Sequence, residues 1–358
     1  MNYIEFEGRK ISVRTAVDDY EIDENGEYQR QIPRFQNTFG KNAENPVEKD
    51  RYTLFWAKDC AWSNRIAIVY SMLGLESAIK EEIVYWTKLN LPVGWECGNA
   101  EDHINPESQA RFIGELYYRS DPNFTGRPAV PVLYDYKRQV IANNDFQNLT
   151  YYLENDFKPF HKEGAPNLCP SNRFREIREL GNWLYDHINN SIYKMFFGKN
   201  KTAYHKGYDE FRSGMETLEK TLDEQRFLLG DHISDSDIRL FSTLVRLDED
   251  YGKGLGLDEK LIHYPNLFDY CREIYQLKDV RKKIFFKYIA ENRKKTSSMP
   301  LKSSGRRRCA EAGKSKKATV YTYKVIEVTA SNWNFVPQLD CRLYHEPSQE
   351  KGLRRKNL

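Results

Sequence analysis

The chain has 358 residues, of which 40% are hydrophobic, and its formal net charge at pH 7 is only +3. This size and composition predict a globular protein of two domains with a substantial core. Basic and acidic residues nearly balance, which argues against a nucleic-acid partner. No apolar stretch approaches the roughly eighteen residues of a membrane helix, and the acidic N-terminus does not resemble a signal peptide. We therefore expect a cytoplasmic protein with no membrane partner.

The cysteines and histidines give no indication of a metal site. Six cysteines, at positions 60, 97, 169, 271, 309 and 341, are too widely spaced for paired zinc ligands and too few for a disulfide framework, so we expect them to be reduced. The seven histidines form neither an H-x-x-x-H pattern nor a cluster with cysteine. We therefore predict no bound metal and no resident cofactor.

Apolar patterning changes several times along the chain. Residues 1–50 are polar and nearly aperiodic, which predicts an N-terminal extension that wraps or frays. The region 51–157 then alternates strand and helix patterns in the order β-α-β-α-β-β-α. The predicted elements are strand 52–57, helix 65–75, strand 79–86, helix 108–120, strands 129–134 and 139–142, and helix 148–155.

Cys60 lies where the first strand ends and an apolar-periodic helix is about to begin. Backbone N–H groups at a helix N-terminus favour an anion, and Arg65 adds a cation, so this thiol should ionise more easily than a free cysteine. The alternative is an inert buried cysteine. Pro131, inside a strand, predicts either a cis peptide bond or an edge strand. A nucleophilic cysteine followed by such a Val-Pro strand resembles the thioredoxin-like fold.

The region 170–292 has helical patterning throughout. Ile177, Leu180 and Trp183 form part of an apolar stripe in a helix predicted over 174–192. Further helices are predicted over 208–222, over 238–247 after a capping box of Ser234 and Asp237, and after residue 264. The basic tail 293–358, with a strand-like run at 318–326, is predicted to be a solvated linker rather than a nucleic-acid site.

Ordered motifs between about 50 and 290 resemble the glutathionyl-hydroquinone reductases, the Xi class of the omega-like glutathione transferases. The resemblance implies an α/β thioredoxin-like N-terminal domain followed by an all-α glutathione-transferase C-terminal domain, and a homodimer. The matching segments are 60–65 (CAWSNR), 94–95 (GW), 115–117 (ELY), 121–127 (DPNFTGR), 130–133 (VPVL), 183–186 (WLYD), 189–194 (NNSIYK), 237–241 (DIRLF), 244–248 (LVRLD) and 264–267 (YPNL).

The resemblance also implies a reaction. Cys60 takes glutathione from a glutathionyl-hydroquinone as a mixed disulfide and releases the hydroquinone, and a second glutathione then resolves the disulfide. Glutathione is thus a co-substrate. Tyr193 is implied as a catalytic hydrogen-bond donor, and Tyr251 as a residue of the hydroquinone pocket. The residues implied to bind glutathione are Trp95, Arg127, Pro128, Ala129, Val130, Asp145 and Phe146.

One departure from the family concerns Asp145 and Phe146, which stand where a Glu-Ser pair usually holds the γ-glutamyl end of glutathione. Asp145 can pair with an ammonium group, but Phe146 has no hydroxyl. The lost hydrogen bond corresponds to about 1.5–3 kcal/mol, or roughly ten- to a hundredfold in affinity. This leaves open a related thiol as the ligand. Two other functions also stay open: an omega-like thiol transferase or dehydroascorbate reductase, and a non-catalytic binding module.

Overall fold

The computed structural model describes residues 2–40, 43–98 and 104–297. Its N-terminal extension begins with an antiparallel hairpin of β1 (Tyr3–Phe6) and β2 (Arg9–Ser12), followed by the short helix α1 (Val17–Tyr20). The hairpin packs closely on helix α3 (Ile113–Ser120) at Gly114. A Cβ atom there would lie 2.6 Å from Ile11 Cγ2, so this position has no room for a side chain.

A mixed five-stranded sheet forms the centre of the next region. Its strands β3 (Tyr52–Trp56), β4 (Ile79–Trp86), β5 (Trp95–Cys97), β6 (Val132–Asp135) and β7 (Val140–Asn143) lie in the order β5-β4-β3-β6-β7. Strands β3 and β4 are parallel, and the other pairs are antiparallel. Helices α2 (Ala61–Leu73), α3 and α4 (Leu149–Asn155) complete this half. The predicted thioredoxin-like arrangement is confirmed.

The second half is helical, as predicted, and the capping box of Ser234 and Asp237 is confirmed at the start of the helix Asp235–Leu244. The helix predicted over 174–192 is interrupted by a π-helical turn at Tyr185–Asn189. Helix α12 continues to Ser297, and the predicted strand at 318–326 lies outside the described residues. The helices are α5 (Phe174–Leu184), α6 (Ser191–Phe197), α7 (Lys201–Glu224), α8 (Asp235–Leu244), α9 (Lys253–Leu255), α10 (Pro265–Gln276), α11 (Lys278–Arg281) and α12 (Phe286–Ser297).

Helix α2 begins four residues earlier than predicted, directly after Cys60. Ser63 and Asn64 gave this segment a loop-like polar pattern, but their side chains have specific buried partners. Ser63 Oγ accepts a hydrogen bond from Ala57 N (3.1 Å), and Asn64 Nδ2 donates to the carbonyl of Lys283 (2.7 Å). Because those polar groups are satisfied in the interior, the helix can bury this whole turn.

Within the described ranges, each helix lacks either the length or the apolar character that crossing a bilayer would require.

A buried ion pair joins the extension to the sheet domain. The carboxylate of Glu21, which is 1% exposed, lies 2.5 Å from Nε of Arg127, in the loop before β6. The hydroxyl of Tyr28 donates to Glu21 Oε1 (3.0 Å) and accepts from Arg127 Nη2 (3.1 Å). Because a buried charge is costly without its partner, this network should hold the extension against the loop.

We predict that Glu21→Gln loosens the extension. Loss of a buried ionic partner costs about 3 kcal/mol, which would raise the population of the detached extension by roughly a hundredfold. Hydrogen exchange of the backbone amides of residues 28–31, followed by mass spectrometry, measures that population. The control is Glu27→Gln, which removes a carboxylate that pairs with Lys206 nearer the surface. Equal exchange in the two variants would show that the Glu21 pair does not hold the extension.

Candidate active site

Cys60 occupies the N-cap position of α2 in an extended conformation, and its carbonyl accepts the first helical hydrogen bond, from Asn64 N (2.9 Å). The predicted position at a helix N-terminus is therefore confirmed. No side chain of the described residues caps this helix end, and the thiol is half-buried. The N–H groups and the dipole of a helix N-terminus can therefore stabilise an anion bound next to this sulfur.

The loop that carries four predicted glutathione contacts ends beside this thiol. Cys60 Sγ lies 3.9 Å from the carbonyl oxygen of Val130, and the Val130–Pro131 peptide bond is cis, as predicted. Tyr117 holds the loop: its hydroxyl donates to the carbonyl of Ala129 (2.9 Å) and accepts from Ala129 N (3.2 Å). Pro128 is buried between Ala129 and Arg127, and the guanidinium of Arg127 is engaged by Glu21.

An aromatic cluster, termed the aromatic cleft, joins the start of α2 to the helical half and consists of Trp62, Phe146, Tyr185, Tyr193 and Tyr251. The ring centroids of Trp62 and Tyr193 are 5.6 Å apart, and the hydroxyls of Tyr193 and Tyr251 are 3.5 Å apart. Burial raises the pKa of Tyr193 to about 12, and it raises that of Tyr251 well above its ordinary value. Both hydroxyls therefore keep their protons at neutral pH and can donate hydrogen bonds.

Arg30, from the N-terminal extension, also lies in this cleft. Its Cζ atom is 4.3 Å from the centroid of the Trp62 ring and 4.2 Å from that of Tyr193. The aperiodic sequence of the extension gave no indication that one of its residues lies in the cleft. Arg30 was therefore not among the predicted site residues.

Arg14 is a second cation from the extension, near the predicted contact Trp95. Trp95 packs edge-on against Trp86 with a 5.2 Å centroid distance, and Arg14 Cζ lies 4.8 Å from the centroid of the Trp86 ring. No hydrogen bond or ion pair joins the Arg14 guanidinium to any residue of the described chain. Burial, and then the positive charge of Arg127, lower the pKa of Arg14 to about 9, whereas the negative charge of Glu21 opposes this shift.

Arg65, the cation that the sequence assigned to Cys60, has other partners. Its Nη2 donates to the carbonyl of Phe146, and its charge interacts mainly with Arg239 and Asp235. Arg65 lies more than one helical turn beyond Cys60 on a helix that is buried on every side. An effect of Arg65 on the Cys60 thiol stays a prediction.

Asp145 and Phe146 face different surroundings. The Asp145 carboxylate is 4% exposed and accepts hydrogen bonds from Gln147 N (2.9 Å) and Asn148 Nδ2 (2.7 Å), so it caps the turn that leads into α4. The Phe146 ring packs edge-on against Trp62, with a centroid distance of 4.8 Å. Phe146 thus forms a wall of the aromatic cleft, and a contact of Asp145 with glutathione stays a prediction.

The other cysteines of the described chain have a different environment. Cys97, Cys169 and Cys271 are buried, and burial raises the pKa of each thiol, that of Cys169 to about 12. In the described ranges, Cys60 alone combines a half-exposed thiol with a helix N-terminus.

Comparisons with known proteins agree with this geometry. A family model described as "Glutathione S-transferase, C-terminal domain" matches residues 201–273. The chain is 32% identical to glutathione S-transferase omega-like 2 of Schizosaccharomyces pombe, over 70% of this chain and 82% of that protein. It is 30% identical to glutathionyl-hydroquinone reductase YqjG of Escherichia coli, over 74% of this chain and 83% of that protein.

Solved structures extend the likeness to three dimensions. The glutathione-bound structure of YqjG superposes with a TM-score of 0.66, over 71% of this chain and 86% of that one, at 30% identity. The Xi glutathione S-transferase of Phanerochaete chrysosporium gives a TM-score of 0.68, over 73% of this chain and 90% of that one, at 29% identity. The chain therefore belongs to the Xi-class glutathione transferases, the family of the glutathionyl-hydroquinone reductases.

Proposed function

We propose that the protein reduces glutathionyl-hydroquinones to hydroquinones with glutathione as the co-substrate and Cys60 as the nucleophile. The observation that carries this proposal is the position of Cys60: a half-exposed thiol at a helix N-terminus, between the Val130 carbonyl and an aromatic cleft that contains two protonated tyrosines. The glutathionyl-hydroquinone reductase YqjG, 30% identical over most of its length, supports the same activity.

The reaction proceeds in two displacements at sulfur. The Cys60 thiolate attacks the glutathionyl sulfur, so that an S–S bond forms and the bond from sulfur to the ring carbon breaks. The substrate reacts as its keto tautomer, in which a proton has moved from a hydroxyl oxygen to the ring carbon that bears sulfur. The electron pair of the broken bond therefore passes into the ring to give a phenolate oxygen, which takes up a proton to complete the hydroquinone. The thiolate of a second glutathione then attacks the mixed disulfide, which gives oxidised glutathione and regenerates the Cys60 thiolate.

The residues around Cys60 form two groups, one for the hydroquinone ring and one for the glutathionyl part of the substrate. Tyr193 and Tyr251 donate hydrogen bonds to the hydroquinone oxygens, where negative charge develops as the carbon–sulfur bond breaks. On the other side of Cys60, the Val130 backbone and the adjoining Arg127, Pro128 and Ala129 line the path of the peptide portion. Trp95, Asp145 and Phe146 complete the proposed glutathione site.

A second candidate function is a thiol transferase or dehydroascorbate reductase of the omega-like type. The similarity to omega-like 2 of Schizosaccharomyces pombe favours it, since the same nucleophile serves both reactions. The two functions make different use of the cleft, because a disulfide or dehydroascorbate does not need an aromatic wall to bind. Turnover of glutathionyl-menadiol in preference to a mixed disulfide of glutathione and a small aliphatic thiol would favour the reductase.

Replacement of the nucleophile tests the proposal directly. We expect Cys60→Ser to lower the turnover of glutathionyl-menadiol by roughly a thousandfold or more, because a hydroxyl cannot form the mixed disulfide. The assay follows menadiol release in the presence of glutathione. Cys169→Ala, which removes a buried thiol elsewhere, is the matched control and should stay active. Full activity of Cys60→Ser would refute the mechanism.

Tyr193→Phe tests the proton-donor role. Loss of a hydrogen bond to a charged oxygen should lower kcat/KM by about ten- to a hundredfold, while the packing of the ring is kept. Steady-state kinetics with glutathionyl-menadiol measure the effect. Tyr152→Phe, whose ring packs against Phe39, is the control for removal of a tyrosine hydroxyl. A Tyr193→Phe enzyme with wild-type kcat/KM would exclude the role.

The cysteine environments predict selective alkylation of the native protein. Iodoacetamide should modify Cys60 at least about tenfold faster than Cys97, Cys169 or Cys271, because burial raises the pKa of these three thiols and blocks access to them. Peptide mapping by mass spectrometry after short exposures gives the rates, and labelling in urea is the control for intrinsic reactivity. Equal native rates would contradict the proposed accessibility of Cys60.

A further inference from the structure

The guanidinium of Arg30 lies in the aromatic cleft without an acidic side chain bonded to it. Its Nε atom donates to Asn190 Oδ1 (3.0 Å), and Nη2 is buried with no hydrogen-bond partner in the described chain. The nearby Glu21 carboxylate is bonded to Arg127 and Tyr28 instead. A buried charged donor without a partner is costly, and native proteins usually supply one.

The aromatic rings compensate part of this cost. Trp62 and Tyr193 lie within 4.3 Å of Arg30 Cζ, and Tyr28 and Phe146 follow at 5.4 and 5.6 Å. Contacts of this kind stabilise a cation through its faces. They leave Nη2 without a hydrogen-bond partner in the described chain, and the bond from Nε to Asn190 fixes the direction of the guanidinium.

A planar guanidinium edge is suited to an oxygen anion, which it binds through parallel, charge-assisted hydrogen bonds. The substrate of the proposed reaction supplies two such sources. Its glutathionyl part carries carboxylates, and its ring oxygens gain negative charge when the carbon–sulfur bond breaks. Arg30 contacts Phe146, on the proposed glutathione side, as well as Tyr193, on the proposed hydroquinone side.

We propose that Arg30, supplied by the N-terminal extension, binds an anionic oxygen of the substrate in the cleft. The inference rests on the proposed function and deepens it, because it makes residues outside the sheet and helical domains part of the substrate site. The oxygen belongs either to a carboxylate of the glutathionyl group or to the hydroquinone ring, and the two sources predict different results in separate half-reactions.

The test compares Arg30→Gln with Arg34→Gln. Arg34, four residues along the same extension, pairs with Asp121 at the surface and has a side chain that is 62% exposed, so it controls for the loss of one positive charge. Two quantities are measured: the affinity for glutathione alone, by calorimetry, and the single-turnover rate with glutathionyl-menadiol. Arg30→Lys, which keeps the charge but lacks the planar edge, is the second variant and decides the test if Arg30→Gln does not fold.

If Arg30 binds a carboxylate, Arg30→Gln should weaken both glutathione affinity and the single-turnover rate by roughly ten- to a hundredfold. If it binds a ring oxygen, only the rate should fall by this factor. Arg30→Lys should show a smaller loss in the same quantity. Values equal to those of Arg34→Gln in both measurements would overturn the proposal.

Failure of the proposed reductase function would give a different pattern. A wild-type protein that binds glutathione but does not turn over glutathionyl-menadiol would refute the reductase. In that case a loss of glutathione affinity in Arg30→Gln would still support carboxylate binding, and an unchanged affinity would overturn the inference. A wild-type protein that neither binds glutathione nor reacts would overturn both proposals.

Discussion

The burial of helix α2 on all sides is the constraint on which the rest of the structure depends. Every residue from Ala61 to Leu73 is buried, so the helix cannot shift without disturbing both halves of the molecule. Arg246 lies just beyond α8 and fixes the N-terminal turn of α2. It donates hydrogen bonds to Asn64 Oδ1 (2.9 Å) and to the carbonyl of Lys58 (3.3 Å). Cys60 lies between these two contacts in the chain, and the helical half therefore helps to position a thiol that belongs to the sheet half.

The distribution of charge around the thiol follows from the same packing. Arg65 and Arg239 are buried near Asp235, where they join α2 and α4 to α8. The N-terminal extension supplies two other cations, Arg30 in the cleft and Arg14 beside Trp86. Neither has a bonded carboxylate among the described residues, whereas Arg127 has Glu21. Such cations are electrostatically suited to an anionic ligand, and glutathione is one.

Membership of the family gives the fold of the protein, whereas the role of an individual residue depends on its local contacts. Similarity over some 70% of the chain establishes the Xi-class fold. Phe146 shows why individual roles need the structure. Its ring forms a wall of the cleft against Trp62 and faces the cation of Arg30. An aromatic ring at this position therefore contributes to both the shape and the electrostatics of the cleft.

Local sequence pattern was sufficient for the fold class, the helix that begins after Cys60, the cis bond before Pro131 and the capping box at Ser234. Each of these depends on a few neighbouring residues, through apolar periodicity, proline geometry or a short side-chain-to-backbone bond. Sequence pattern could not predict the partners of Arg65, the position of Arg14 beside Trp86 or the presence of Arg30 in the cleft. Arg30 and its partner Asn190 are 160 residues apart in the chain. Such contacts exist only once the extension has packed against both domains, because packing decides where a long, flexible arginine side chain can bury its charge.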